Sequence, residues 1–155
     1  MKRYARGLAL TAGLALVAAL SPATPGAAAV TRYEAEGATV SQGVVEANHL
    51  NYSGTGFVNC DNVAGSYVQW AVTAAAAGPA TLTIRYANGT SANRPADITV
   101  NGATVAAGRA FNGTGNWDTW ASVTLTVDLA AGANTIRVAG ASANGPANLD
   151  YIELA

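Results

Sequence analysis

The 155-residue sequence predicts an all-β protein, an antiparallel β-sandwich of the jelly-roll type. Three observations predict it. Nine short runs rich in Val, Ile, Thr and Tyr follow residue 30, and several alternate apolar and polar residues. Turn signals ("AGP", "ANGTSANRP", "VNGAT", "AAGAN", "SANGPAN") separate them at the spacing of a sandwich. No stretch beyond residue 30 combines helical periodicity with caps.

The chain opens with a segment that does not belong to the fold. "MKRYARG" is basic, "LALTAGLALVAAL" is apolar but too short to span a bilayer, and Ala27 and Ala29 place small residues before a cut at Val30. Residues 1–29 therefore read as a secretory signal peptide and 30–155 as one domain. The expected location is extracellular. No cysteine lies near the cut to carry a lipid, and no second apolar run is long enough to cross a membrane.

The strands follow in order. "TRYEAE" and "ATVSQGVVEA" open the domain; "GFVNC" and "SYVQWAVTA" come next. "TAAAAGPA" is alanine-rich, but Gly78–Pro79 closes it, so it reads as a strand end and connection. "ATLTIRYA" precedes a loop. "DITVNGATV" contains a tight hairpin at Asn101–Gly102. "SVTLTVDL", "NTIRVAG" and "LDYIELA" complete the set. A jelly roll can place its two terminal strands side by side.

Charge and cysteine content exclude several functions. Beyond the leader the chain keeps five Arg, no Lys and all nine Asp and Glu. It has no basic patch for nucleic acid. Cys60 is the single cysteine, expected to be a buried small hydrophobe, and its count excludes a cysteine metal site. His49 is the single histidine and reads as a loop residue without a partner. No nucleophile elbow, metal-binding His pair or phosphate loop occurs.

Two constellations remain. Glu34 and Glu36 lie two apart on an expected strand, so their carboxylates share a face and repel. Solvent, an Arg such as Arg137, or a calcium ion would offset that repulsion, with Asp150 as a third carboxylate if the terminal strands adjoin. The second constellation is a set of loops rich in Asn and aromatics: Asn51 and Tyr52, then Asn88, Asn93 and Arg94, then Asn116 and Trp117, then Asn144 and Asn148. Rings cover the C–H faces of sugars while amides and guanidinium groups take hydroxyls. Each Asn taken singly is equally a turn residue. Trp70 and Trp120 read as core. Trp117, between Asn116 and Asp118, reads as an exposed platform, or else as a cap on the end of the core.

The ordered set "YEAE", "YSGTGFV", "YVQWAV", "ATLTIRYANG", "ITVNG", W-x-x-W, "AAGANTIRV" and "NLDYIEL" resembles the carbohydrate-binding modules of family 35, relatives of family 6, from Tyr33 to Leu154. The resemblance implies a jelly roll without catalytic activity, usually attached to glycan-active enzymes. It implies calcium held by Glu34, Glu36 and Asp150. It places sugar against Trp117 and Asn148, with Tyr52, Asn88 and Arg94 beside them. Some members bind uronic acids with a second calcium, others mannan or galactose units, and Arg94 suits a carboxylate-bearing sugar. The expectation is a monomeric, secreted, calcium-stabilised module that binds extracellular polysaccharide and is not an enzyme. The rival readings are a small glycan-degrading enzyme such as a lyase, and a surface adhesion domain that recognises protein.

Overall fold

A computed structural model describes residues 29–155. The signal-peptide reading of residues 1–29 falls almost wholly outside the described residues. Among the described residues no helix is long and apolar enough to cross a membrane. Eleven strands among the described residues form two antiparallel sheets. They are β1 (Thr31–Glu34), β2 (Thr39–Ser41), β3 (Gly43–Glu46), β4 (Phe57–Cys60), β5 (Tyr67–Ala74) and β6 (Gly78–Ala87). Then come β7 (Ala96–Val100), β8 (Ala103–Arg109), β9 (Ala121–Leu129), β10 (Gly132–Gly140) and β11 (Asn148–Leu154).

One sheet runs β3-β4-β11-β6-β9, with β1 also on β11; the other runs β2-β5-β10-β7-β8. Alternation decides which residues face inward. In β5, Val68, Trp70 and Val72 are buried while Gln69 and Ala71 point outward. β6 buries Leu82, Ile84 and Tyr86, and β10 buries Ile136 and Val138. These side chains meet between the sheets, each large aliphatic contributing roughly 1.5–3 kcal/mol of burial.

Two expected strands are each divided. Gln42, at φ 56, ends β2 and lets the chain cross to the other sheet as β3. Asn101 and Gly102, at φ 51 and 82, form the expected tight turn between β7 and β8. The terminal strands adjoin: β1 pairs antiparallel with β11, Thr31 opposite Leu154 and Glu34 opposite Tyr151.

The same edge of β11 is shared. β4 pairs there only at Leu149, and β1 takes over from Tyr151 onward. A bulge falls between Leu149 and Tyr151, and it leaves Asp150 fully buried at the junction. β1 stops at this junction. Ala35–Gly37 form a 3-10 turn, so Glu36 leaves the strand on which the sequence places it.

Candidate functional site

Five connections border the site: residues 47–56, 61–66, 88–95, 110–120 and 141–147. Between them and the ends of β3, β4 and β11 lies a cleft of about 250 Å³. Arg94, Trp117 and Asn148 meet in its wall. A larger furrow of about 440 Å³, against Gly89, Thr90, Ser91, Gly113 and Gly115, offers no charged or aromatic side chain. The smaller cleft is the one with chemistry.

Arg94 is held by backbone and amide oxygens. Its Nη1 donates to Asn62 Oδ1 at 2.8 Å, Asn144 O at 2.7 Å and Pro146 O at 3.2 Å. Its Nε is buried without a partner. Burial lowers its pKa from the ordinary arginine value, yet a guanidinium stays charged at neutral pH. No carboxylate pairs with it among the described residues, where the Arg ion pairs are Arg32–Glu153 and Arg85–Asp150.

Trp117 is half-buried. Its indole lies on Gly89, where a Cβ would stand 2.5 Å from Cδ1 and 2.6 Å from Cγ and Cδ2. Only glycine at position 89 leaves room for the ring. The His49 ring stacks at 6.1 Å and 24° from it. Asn116 shapes the approach, its Oδ1 accepting from Asp118 N at 2.9 Å and Thr119 Oγ1 at 3.0 Å. Asn148, at the start of β11, is 4% exposed.

The structure does not bring every expected residue to the cleft. Asn88 is fully buried, and its amide is spent inside the fold. Nδ2 donates to Ala92 O and Phe111 O, and Oδ1 accepts from Thr90 N and Oγ1. It is a loop brace. Tyr52 lies outside the lining, its ring centred 5.8 Å from that of Phe57. Trp70 is core, 2% exposed, with Nε1 on Glu34 O. Trp120 is not: it is half-buried, edge-on to Phe57 at 5.5 Å, with Nε1 donating to Leu50 O at 2.8 Å. Cys60 is buried as expected.

Four cleft residues, Glu46, Asn48, Asn59 and Asn62, are absent from the sequence reading, and His49 enters it only as a loop residue without a partner. His49 is far from partnerless. Its Nδ1 lies 3.3 Å from Asp118 Oδ1, and its ring also meets Phe57 at 5.6 Å. Asn59 donates to Glu46 Oε2 at 3.1 Å. The one signal available was the repeated Asn in "ANHLN" and "VNCDN".

The carboxylates gather at the β1–β4 junction beside β11. Ser53 Oγ donates to Glu34 Oε1 at 2.7 Å, Thr55 N to Glu36 Oε1 at 2.7 Å, and Ser53 N to Asp150 Oδ1 at 2.9 Å. Arg85 Nη1 pairs with Asp150 Oδ2. Arg137, the partner considered from sequence, instead bonds Gln69 and stacks over Tyr67 on the other sheet. Burial pushes the Asp150 carboxyl above the usual range; the charge of Glu36 adds to this, while Ser53 N–H and Arg85 oppose it.

No three acidic, His or Cys side chains form a ready metal cage among the described residues. The donor chemistry nonetheless fits a hard cation. Glu34 Oε2 and Glu36 Oε2 are both buried without a hydrogen-bond partner. Gly54, at φ +62, lies against both groups, and a Cβ there would stand 2.1 Å from Glu36 Oε1 and 3.4 Å from Glu34 Cδ. Arg85 compensates one of three negative charges. A small oxygen-seeking ion would satisfy the two free oxygens and the remaining charge.

Comparison with known proteins agrees with this architecture. The family model for carbohydrate binding module (family 35) matches residues 31–155. The exo-beta-D-glucosaminidase of Amycolatopsis orientalis is 52% identical over 130 residues, which cover 84% of this chain and 13% of that protein. Endo-1,4-beta-xylanase B of Cellvibrio japonicus is 38% identical over 120 residues, 72% of this chain and 19% of the other. The chain thus spans less than a fifth of these curated relatives. A family 35 carbohydrate binding module from Clostridium thermocellum superposes with a TM-score of 0.80 at 38% identity, covering 82% of this chain and 98% of that one. Xyl-CBM35, solved in complex with a glucuronic acid-containing disaccharide, superposes at 0.72 and 35% identity, covering 80% and 91%. A family match across the whole described sandwich, and solved modules of that family with the same fold, place the chain in carbohydrate-binding module family 35.

Proposed function

We propose that the chain is a secreted, non-catalytic module that binds extracellular saccharide in the cleft of Arg94, Trp117 and Asn148, with acidic sugars preferred. The observation that carries this reading is Arg94: a cation in a cleft wall, without a carboxylate partner among the described residues, next to an aromatic ring. A uronate carboxylate would supply the missing charge, with guanidinium–carboxylate bonds stronger than neutral ones. Trp117 would cover a C–H face of the sugar. Asn148 and the neighbouring Asn side chains would take hydroxyls. The glucuronic acid-containing disaccharide bound by Xyl-CBM35 supports the same ligand class.

Calcium belongs to this reading at Glu34, Glu36 and Asp150. Bound there, it would neutralise the carboxylates and lock the junction beside β11. Its role is structural, because the cleft is lined by other residues.

Affinity electrophoresis tests the function. The protein is run through gels containing glucuronoxylan, pectin, galactomannan or no polymer. Retardation by the uronic acid polymers, without release of reducing ends or unsaturated products, is the expected result. Retardation by galactomannan alone would move the ligand to neutral sugars. Product release would favour the lyase reading.

A further inference from the structure

We infer that the carboxylate cluster and the cleft are energetically coupled, and that the connection of residues 47–56 carries the coupling; this rests on the calcium and saccharide readings above. The connection is one strap with two functions. Its first half supplies Asn48 and His49 to the cleft. Its second half is held by the cluster, through Ser53 on Glu34 and Asp150 and through Thr55 on Glu36.

The stretch between them has little slack. Leu50 N donates to Asp118 Oδ1 at 2.9 Å, and Leu50 O accepts from Trp120 Nε1. Asn51 Nδ2 donates to Asp118 O at 3.1 Å. Arg85 Nη2 donates to Asn51 O at 2.9 Å while its Nη1 holds Asp150. One guanidinium therefore touches the cluster and the middle of the strap together. Gly54 is already against the two glutamates, so the strap cannot move inward there.

This arrangement has two states. With a cation between them, Glu34 and Glu36 stay together and keep Ser53 and Thr55 in place. Without it, two like charges with buried, unpartnered oxygens must separate or take up water. Ser53 and Thr55 then lose their acceptors, and the shift passes along the strap to His49, four residues away. Ser53 and Arg85 are positioning residues, since neither lines the cleft. Linkage is reciprocal: calcium tightens saccharide binding, and saccharide tightens calcium binding by the same factor.

The test uses His49, the only histidine of the chain, as a reporter inside the cleft. Calcium is titrated into the protein without saccharide, following binding by calorimetry and the His49 imidazole by ¹H–¹³C NMR. The His49 signal is expected to move in step with occupancy. Glucuronic acid is then expected to bind about 5-fold more tightly, or better, than after chelation. A Ser53→Ala/Thr55→Val variant removes the hydroxyl bonds to Glu34 and, at 3.2 Å, to Glu36, while it leaves the two backbone bonds, every carboxylate and every cleft residue in place; it should still bind calcium, with a smaller His49 shift. Glu34→Gln/Glu36→Gln should lose both calcium binding and the shift. A shift that persists in that variant places the cation in the cleft itself and overturns the coupling. A His49 signal that ignores bound calcium, or the absence of calcium binding, overturns it too. The His49 readout needs no saccharide, so failure of glucuronic acid to bind counts against the saccharide reading alone.

Discussion

The Arg94 guanidinium lies 5.5 Å from the centre of the Trp117 ring, and three oxygens from two other connections hold it there. Cation and ring are thus fixed before a ligand arrives. Pre-organisation of this kind lowers the ordering cost of binding. Arg94→Ala should weaken glucuronic acid binding roughly 10- to 100-fold, the worth of a charge-assisted hydrogen bond. A neutral xylo-oligosaccharide should lose less. Calorimetry of both ligands checks this, and equal losses would make Arg94 merely a brace for the loops.

Gly89 makes a sharper probe of the platform, since it adds an atom and removes none. In Gly89→Ala the new Cβ would stand 2.5 Å from the indole. The ring must shift, at about 1–3 kcal/mol. Saccharide affinity should fall roughly tenfold or more, with a change in near-ultraviolet circular dichroism as the Trp117 environment alters.

The two tryptophans of "WDTW" should separate in stability and not only in binding. Trp117→Ala is expected to abolish saccharide binding while the domain stays folded. Trp120→Ala removes the edge contact to Phe57 and the bond to Leu50 O. Because Trp120 is half-buried and not core, the loss should be about 2 kcal/mol, below that of a fully buried tryptophan. Urea unfolding of both variants is the check.

Calcium should stabilise the fold. At about a hundred times its dissociation constant a ligand adds ~2.7 kcal/mol, which moves the midpoint of a domain of this size by on the order of 10 °C. Chelation should lower the thermal midpoint by that order and added calcium should restore it. Gly54→Ala, with a Cβ driven onto Glu36 and a strained φ of +62, should no longer respond to calcium.

Cys60 should be inert in the native state. Burial pushes its pKa from 9.0 to about 12, and the charge of Asp61 acts in the same direction. A folded value above the unfolded one stabilises fully below pH 9 and is lost as the pH rises toward 12. Ellman's reagent at pH 8 should therefore label the thiol only on unfolding, and stability should decline on the alkaline side.

The strands were legible because alternation is a local signal. Val68, Trp70 and Val72 can be assigned to one face from "YVQWAV" alone. The hairpin at Asn101–Gly102 was legible for the same reason. The site was legible only in part, because it is assembled by non-local pairing. Glu34 and Glu36 could be linked to Asp150 once β1 was placed on β11. Arg85 could not, since its approach depends on β6 flanking β11 on the other side. Asn88 and Asn148 look alike in sequence, each in a loop beside a strand. The fold buries the amide of one among backbone carbonyls and presents the other in the cleft wall. His49 had no visible partner because Asp118 lies 69 residues further along the chain.

The most direct test of the central claim is calorimetric titration of glucuronic acid into the protein and into Trp117→Ala, in matched calcium-containing buffer. Saturable binding that disappears in the variant, while the variant still unfolds cooperatively as a folded domain, is the predicted result. Binding of equal strength in both proteins, or in neither, would contradict a saccharide cleft built on Trp117.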